Sequence, residues 1–201
     1  MISDNLSPAE ALVLLKEGNQ RFVQNQRLTP NLMDQVRETA SGQNPFAAIL
    51  GCIDSRAVPE LIFDQGIGSL FTIRVAGNVI DEDVLASLEY ACTVSGTRLI
   101  LVKGHTRCGA VQSACQNVAV EGNLKQLMDK LKPCVDAAAQ KMGGYADGDD
   151  FRDEVSHINV EQSVAQILAG SPILRKLSDR GEIAVVGALY DVRTGKVSFF
   201  E

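Results

Sequence analysis

Short apolar runs alternate with amphipathic stretches along this chain. Residues 46–50, Leu70–Arg74, 99–102 and 183–188 are runs of four to six residues, apolar almost throughout. Runs this short with no polar face predict strands buried on both sides, as in a parallel sheet. Between them the apolar positions recur at helical spacing. Ser7-Pro8-Ala9-Glu10 has the form of a helix start, with Ser7 as cap, Pro8 in the first turn and Glu10 reaching back. Ala11, Leu14, Leu15, Gly18 and Phe22 follow as one stripe. A second, more polar helix is expected over about 31–41. Residues 81–95 place Val84, Leu85, Leu88, Ala91 and Cys92 on one side, with Gly96 as the stop. Further helices are expected from near Cys108, over about 123–142, over 153–169, and from Ser171-Pro172 to Gly181. Residues 143–150 read as a flexible acidic loop. Thr194-Gly195 marks a turn into a last, more polar edge strand.

This alternation predicts an α/β fold: a mostly parallel sheet flanked by helices, a C-terminal antiparallel edge strand and an N-terminal helical arm. Residues 1–42 form the arm and 43–201 the α/β unit of a single domain. The arm's stripe has no evident home on a sheet already covered on both faces, so it is expected to pack on a second copy of the chain. In parallel sheets, ligands gather beyond the carboxyl ends of the strands. Cys52 follows the first apolar run and His105 follows the third, which puts both on that edge.

Composition narrows the partners. At 45% hydrophobic and 22% charged the chain is ordinary for a globular protein, and a net charge of −6 disfavours nucleic acid and anionic membranes. No stretch approaches the roughly 18 apolar residues of a membrane span. The opening residues lack the basic segment and apolar core of a signal peptide. Five cysteines, odd in number and without a disulfide-like spacing, suit a reducing compartment. A cytoplasmic location is expected, with export the alternative if a leader has been removed.

Cys52, His105 and Cys108 are the candidate chemistry. Two thiolates and one imidazole suit zinc and leave a fourth position open. Other readings of the same residues stand beside this one. A cysteine at a strand end also serves as a small buried hydrophobe, and a loop histidine as a surface residue. Cys52 and Cys108 lack the C-x-x-C spacing of a redox pair. Cys92, Cys115 and Cys134 fall in helical patterns and read as packing thiols, and His157 as a helix-surface residue.

The residues around these ligands carry a family resemblance. Gly51-Cys52-Ile53-Asp54-Ser55-Arg56, Pro59-Glu60, Phe63-Asp64, Arg74-Val75-Ala76-Gly77-Asn78 and Gly104-His105-Thr106-Arg107-Cys108-Gly109-Ala110-Val111 resemble the signatures of the β-class carbonic anhydrases. Gly18-Asn19-Gln20-Arg21-Phe22 and Gly187-Ala188-Leu189-Tyr190-Asp191 extend the resemblance over nearly the whole chain. It implies reversible hydration of carbon dioxide to bicarbonate and a proton, with one zinc ion per subunit on Cys52, His105 and Cys108. It also implies an Asp54–Arg56 pair beside the metal, with Asp54 a possible fourth ligand in a closed state. Gln43 and the Gly109 amide become donors to substrate, and Phe71, Ala76 and Tyr90 an apolar pocket shared with the neighbouring subunit of a homodimer or tetramer. Ser69 and Val75 depart from the family's usual residues, and the chain has no Trp, which members regulated by bicarbonate carry. Hydrolysis of another small heteroallene, such as carbon disulfide, and a non-catalytic zinc or redox protein are the alternatives.

Overall fold

The sheet is built from β1 (Ala47–Gly51), β2 (Leu70–Arg74), β3 (Leu99–His105), β4 (Ala184–Tyr190) and β5 (Val197–Phe199), in the order β2-β1-β3-β4-β5. The first four strands are parallel to their neighbours, and β5 pairs antiparallel with β4. The computed structural model describes residues 6–28 and 31–200; residues 1–5 and 29–30 of the expected arm lie outside it, as does 201.

Side-chain alternation divides the sheet between two helical layers. Ala47, Ile49, Leu99 and Leu101 face α1 (Pro8–Val23) and the single turn α3 (Pro59–Ile62). Ala48, Leu50, Ile100 and Val102 face α4 (Glu82–Thr93), α7 (Asp149–Gly170) and α8 (Pro172–Asp179). Gly104 and Gly187 let α7 ride close to the sheet, because a Cβ on either would lie within 2.8 Å of a Val160 methyl. Beyond the carboxyl edge, α5 (Gly109–Cys115), α6 (Gly122–Met142) and the start of α7 enclose Cys52 and Cys108.

The arm divides into two unlike parts. Ser7 and Glu10 form the expected capping box, and the α1 stripe finds a home in its own chain. Ala11 and Leu15 are fully buried against the sheet. Asn19 bonds the Ile62 and Gly195 carbonyls at 3.2 and 2.9 Å and accepts from the Val197 amide at 2.9 Å. Arg21 reaches Asp64 at 2.6 Å. A Cβ on Gly18 would collide with the Phe63 carbonyl oxygen at 1.8 Å. The stripe expected to pack on a second copy is thus seated on β1 and β3 of its own chain. Among the helices of the described residues only α2 (Leu32–Thr39) buries no residue, and it exposes Leu32, Met33 and Val36.

Other differences are local. The helix α7 begins at Asp149, four residues before the expected start, with Asp149 and Asp150 in a first turn that favours acidic groups. The α3 turn and a 3₁₀ turn at Ala76–Asn78 are too short to show periodicity in the sequence. Among the described residues no helix is long and apolar enough to cross a membrane.

Candidate metal centre

The end of β3 and the turn that follows it set the geometry of the site. His105 is the last residue of β3 and is 1% exposed. Its Nδ1 lies 2.9 Å from the Thr106 carbonyl oxygen. A carbonyl only accepts, so Nδ1 carries the proton and the Nε2 lone pair is free. That Nε2 is buried and, among the described residues, has no hydrogen-bond partner. A buried unmet acceptor costs about 1–3 kcal/mol and needs a reason.

The reason lies within reach. The His105 nitrogen and the Cys52 and Cys108 sulfurs lie within 4.8 Å of one another, and the two sulfurs are 3.9 Å apart. A tetrahedral ion with metal–sulfur bonds of about 2.3 Å holds its sulfurs roughly 3.8 Å apart. The spacing and the donor set both fit zinc. Arg107 adopts a left-handed φ of 54°, which reverses the chain between His105 and Cys108 and turns both toward one point. Its amide meets Asp153 at 3.3 Å and its guanidinium meets Asp149 at 3.0 Å. Thr106 is held from β4 by its own amide on the Tyr190 carbonyl at 2.9 Å.

The two thiols share a proton unequally. The Cys108 thiol above all, with the Asp54 and Gly77 amides, holds the Cys52 thiol well below its usual range against the opposing effect of burial. Cys108 is pushed up by the same sulfur–sulfur hydrogen bond and by burial. A divalent cation held by both sulfurs would displace the thiol protons. The Gly77 amide donates to the Cys52 sulfur at 3.3 Å, and Asn159 of α7 holds the Gly77 carbonyl at 2.8 Å.

Asp54 stands beside the cluster, its Oδ2 4.0 Å from His105 Nε2. Arg56 grips it at both oxygens, Nε to Oδ1 at 3.0 Å and Nη2 to Oδ2 at 2.7 Å. The hydrogen bond from Arg56, partly offset by burial, lowers Asp54 to about 2. Arg56 also donates to the Arg107 carbonyl at 3.3 Å, tying the two ligand loops together. Gly109 is the first residue of α5, where helix geometry leaves its amide without an intrahelical partner. Ala76 adjoins Gly77 in the 3₁₀ turn.

Three of the expected residues are not brought here by their own chain. Gln43 is exposed and precedes β1, on the opposite edge of the sheet from Cys52. Five residues of strand, about 16 Å, separate the two edges. Phe71 of β2 and Tyr90 of α4 make an edge-to-face pair, centroids 6.3 Å apart, along an open groove at the unpaired side of β2. The remaining thiols stay apart from the triad. Burial pushes Cys92 up to about 12 and Cys134 up to about 11, and Cys115 shifts the same way. His157 stacks on Phe200 at 4.1 Å. Sequence reasoning missed Lys103, Asn159 and the grip of Arg74 on the Cys52 and Asp54 carbonyls at 3.1 and 2.7 Å. A lysine interrupting a buried apolar strand was the one available signal.

Comparison with known proteins agrees with this geometry. The family model for carbonic anhydrase matches residues 47–197. Carbonic anhydrase 2 of Mycobacterium tuberculosis is 38% identical over 197 residues, covering 96% of this chain and 92% of that protein. The carbonic anhydrase of Mycolicibacterium smegmatis is 35% identical over 198 residues, covering 96% and 93%. Among solved structures, the Coccomyxa β-carbonic anhydrase in complex with acetazolamide superposes with a TM-score of 0.75 at 28% identity, covering 98% of this chain and 87% of that one. Match, fold and metal-ligand geometry agree, and the chain belongs to the β-class carbonic anhydrase family.

Proposed function

We propose that this chain catalyses the reversible hydration of carbon dioxide to bicarbonate and a proton, with one zinc ion per subunit on Cys52, His105 and Cys108. The observation that carries this reading is the buried His105 Nε2, unpartnered and aimed at two sulfurs beside an arginine-clamped carboxylate. When bound, zinc acidifies water and so supplies a nucleophile near neutral pH.

The chain's residues do the aiming. Asp54, kept ionised by Arg56, is acceptor-only and orients an O–H donor next to His105. The two-point guanidinium clamp fixes that carboxylate in one orientation. The Gly109 amide offers a donor where charge develops on the substrate oxygen. Ala76 contributes an apolar wall suited to carbon dioxide. An inert zinc store needs no such carboxylate clamp, which favours catalysis over storage.

Gln43, Phe71 and Tyr90 serve the site from a second copy of the chain in this reading. A homodimer is the minimum unit, with a tetramer as a pair of dimers. The exposed apolar residues of α2 and the unpaired edge of β2 support that assembly. The arm through residue 42 makes the contact through α2, and 43–201 carries the chemistry. All five cysteines are free, which supports the cytoplasm; recovery from an oxidising compartment on cell fractionation would contradict it.

Cys108→Ser is expected to lose zinc and Cys92→Ser to keep about one per chain; equal retention in metal analysis would overturn the ligand assignment. Two thiolates already neutralise the dication, so it acidifies water less than a three-histidine site, where the pKa is about 7. The hydration rate should therefore rise with pH through a midpoint above neutrality. Arg56→Ala should keep the metal yet lose activity by about 10–100-fold, because Asp54 loses its clamp. A native midpoint near pH 6, or a fully active variant, would contradict this account. Replacing Met33 and Val36 together by Glu should lower both the mass in light scattering and the activity. A fully active monomer would refute the shared site.

A further inference from the structure

Lys103 is a fully buried lysine in the middle of the sheet. Among the described residues, no carboxylate forms an ion pair with it. Keeping an amine in so buried a position works against stability. A methionine would fill the same space without that penalty.

The contacts show what the amine does. Lys103 sits on β3 in register with Gly51 of β1, and its stem passes that residue toward the turn that follows β1. Its Nζ donates to the Ala57 carbonyl at 3.3 Å and lies 5.2 Å from the centre of the Tyr190 ring. Ala57 closes the turn that carries Asp54 and Arg56, its amide bonded to the Asp54 carbonyl at 3.0 Å. Arg74 holds the Cys52 and Asp54 carbonyls of the same turn from the other side, on β2. Two cations on the strands flanking β1 thus grip three carbonyls of one six-residue turn.

We infer that Lys103 is a positioning residue: by holding the Ala57 carbonyl it fixes the Cys52–Ala57 turn, and so sets where the Asp54–Arg56 pair stands relative to His105. The inference rests on the role proposed for that pair. An isosteric side chain without a donor should leave the sheet packed but loosen the turn.

Lys103→Met is the test, with native circular dichroism and native zinc content as entry conditions. Amide hydrogen exchange, followed by mass spectrometry on zinc-loaded protein, should quicken about fivefold in peptides covering 53–58 and stay unchanged in β1 and β4. The kcat should fall about tenfold at constant KM. In an Arg56→Ala background the same substitution should cost less than about twofold more, since both act through Asp54. Unchanged exchange at 53–58, exchange quickened across the whole sheet, or losses that multiply in the double variant would each overturn the proposal. Faster local exchange with native kcat would overturn it through the Asp54–Arg56 premise, leaving the Lys103 contact itself intact. Should Lys103→Met fail the entry conditions, Lys103→Gln, which keeps an N–H donor, takes its place, with local exchange and kcat expected to stay closer to native. If neither variant meets them, the lysine serves stability alone and the inference fails.

Discussion

The hydrogen bond from His105 Nδ1 to the Thr106 carbonyl governs the rest of the site. It fixes the imidazole tautomer and points a bare lone pair into a space walled by two sulfurs. For that bond to form, β3 must run through His105 and the chain must then reverse at Arg107, in a left-handed conformation that a non-glycine residue adopts at a cost. The reversal survives because α7 supplies Asp149 and Asp153 to Arg107, and β4 supplies the Tyr190 carbonyl to Thr106. The close ride of α7 over Gly104 and Gly187 is part of the same arrangement.

Charge is balanced around this point rather than minimised. The Cys52 thiol, a carboxylate held well below its usual pKa, and the cations Arg56, Arg74 and Lys103 lie within one turn and its flanking strands, with the Cys108 thiol facing them from the turn after β3. In a medium of low effective dielectric such charges are tolerated when each is met by an opposite charge or a fixed dipole. Arg56 meets Asp54, Arg74 meets backbone carbonyls, and the Gly77 amide meets the Cys52 sulfur. The result is a polar floor beside the Cys52, His105 and Cys108 side chains on a largely apolar sheet.

Much of this is legible in the residues. The apolar runs mark β1 to β4, and the carboxyl-edge rule by itself brings Cys52 and His105 to one edge of the sheet, where the fold indeed holds them. What stays hidden is non-local or too short. Single turns such as α3 carry no period, and β3 outruns its expected end because Lys103 and His105 interrupt the apolar pattern. The α1 stripe points to a second copy when helices are merely counted, because a count does not say how much sheet each helix covers; Gly18 and Asn19 settle it within the chain. Gln43, Phe71 and Tyr90 come from the family resemblance, and the fold of one chain sets them away from its own Cys52, His105 and Cys108.

X-ray absorption at the zinc edge, on protein loaded with one equivalent of zinc, tests the central claim most directly. The account predicts two sulfur neighbours at about 2.3 Å and one histidine nitrogen at about 2.0–2.1 Å, with one further light-atom ligand. A shell of nitrogen and oxygen alone, or of four sulfurs, would contradict it.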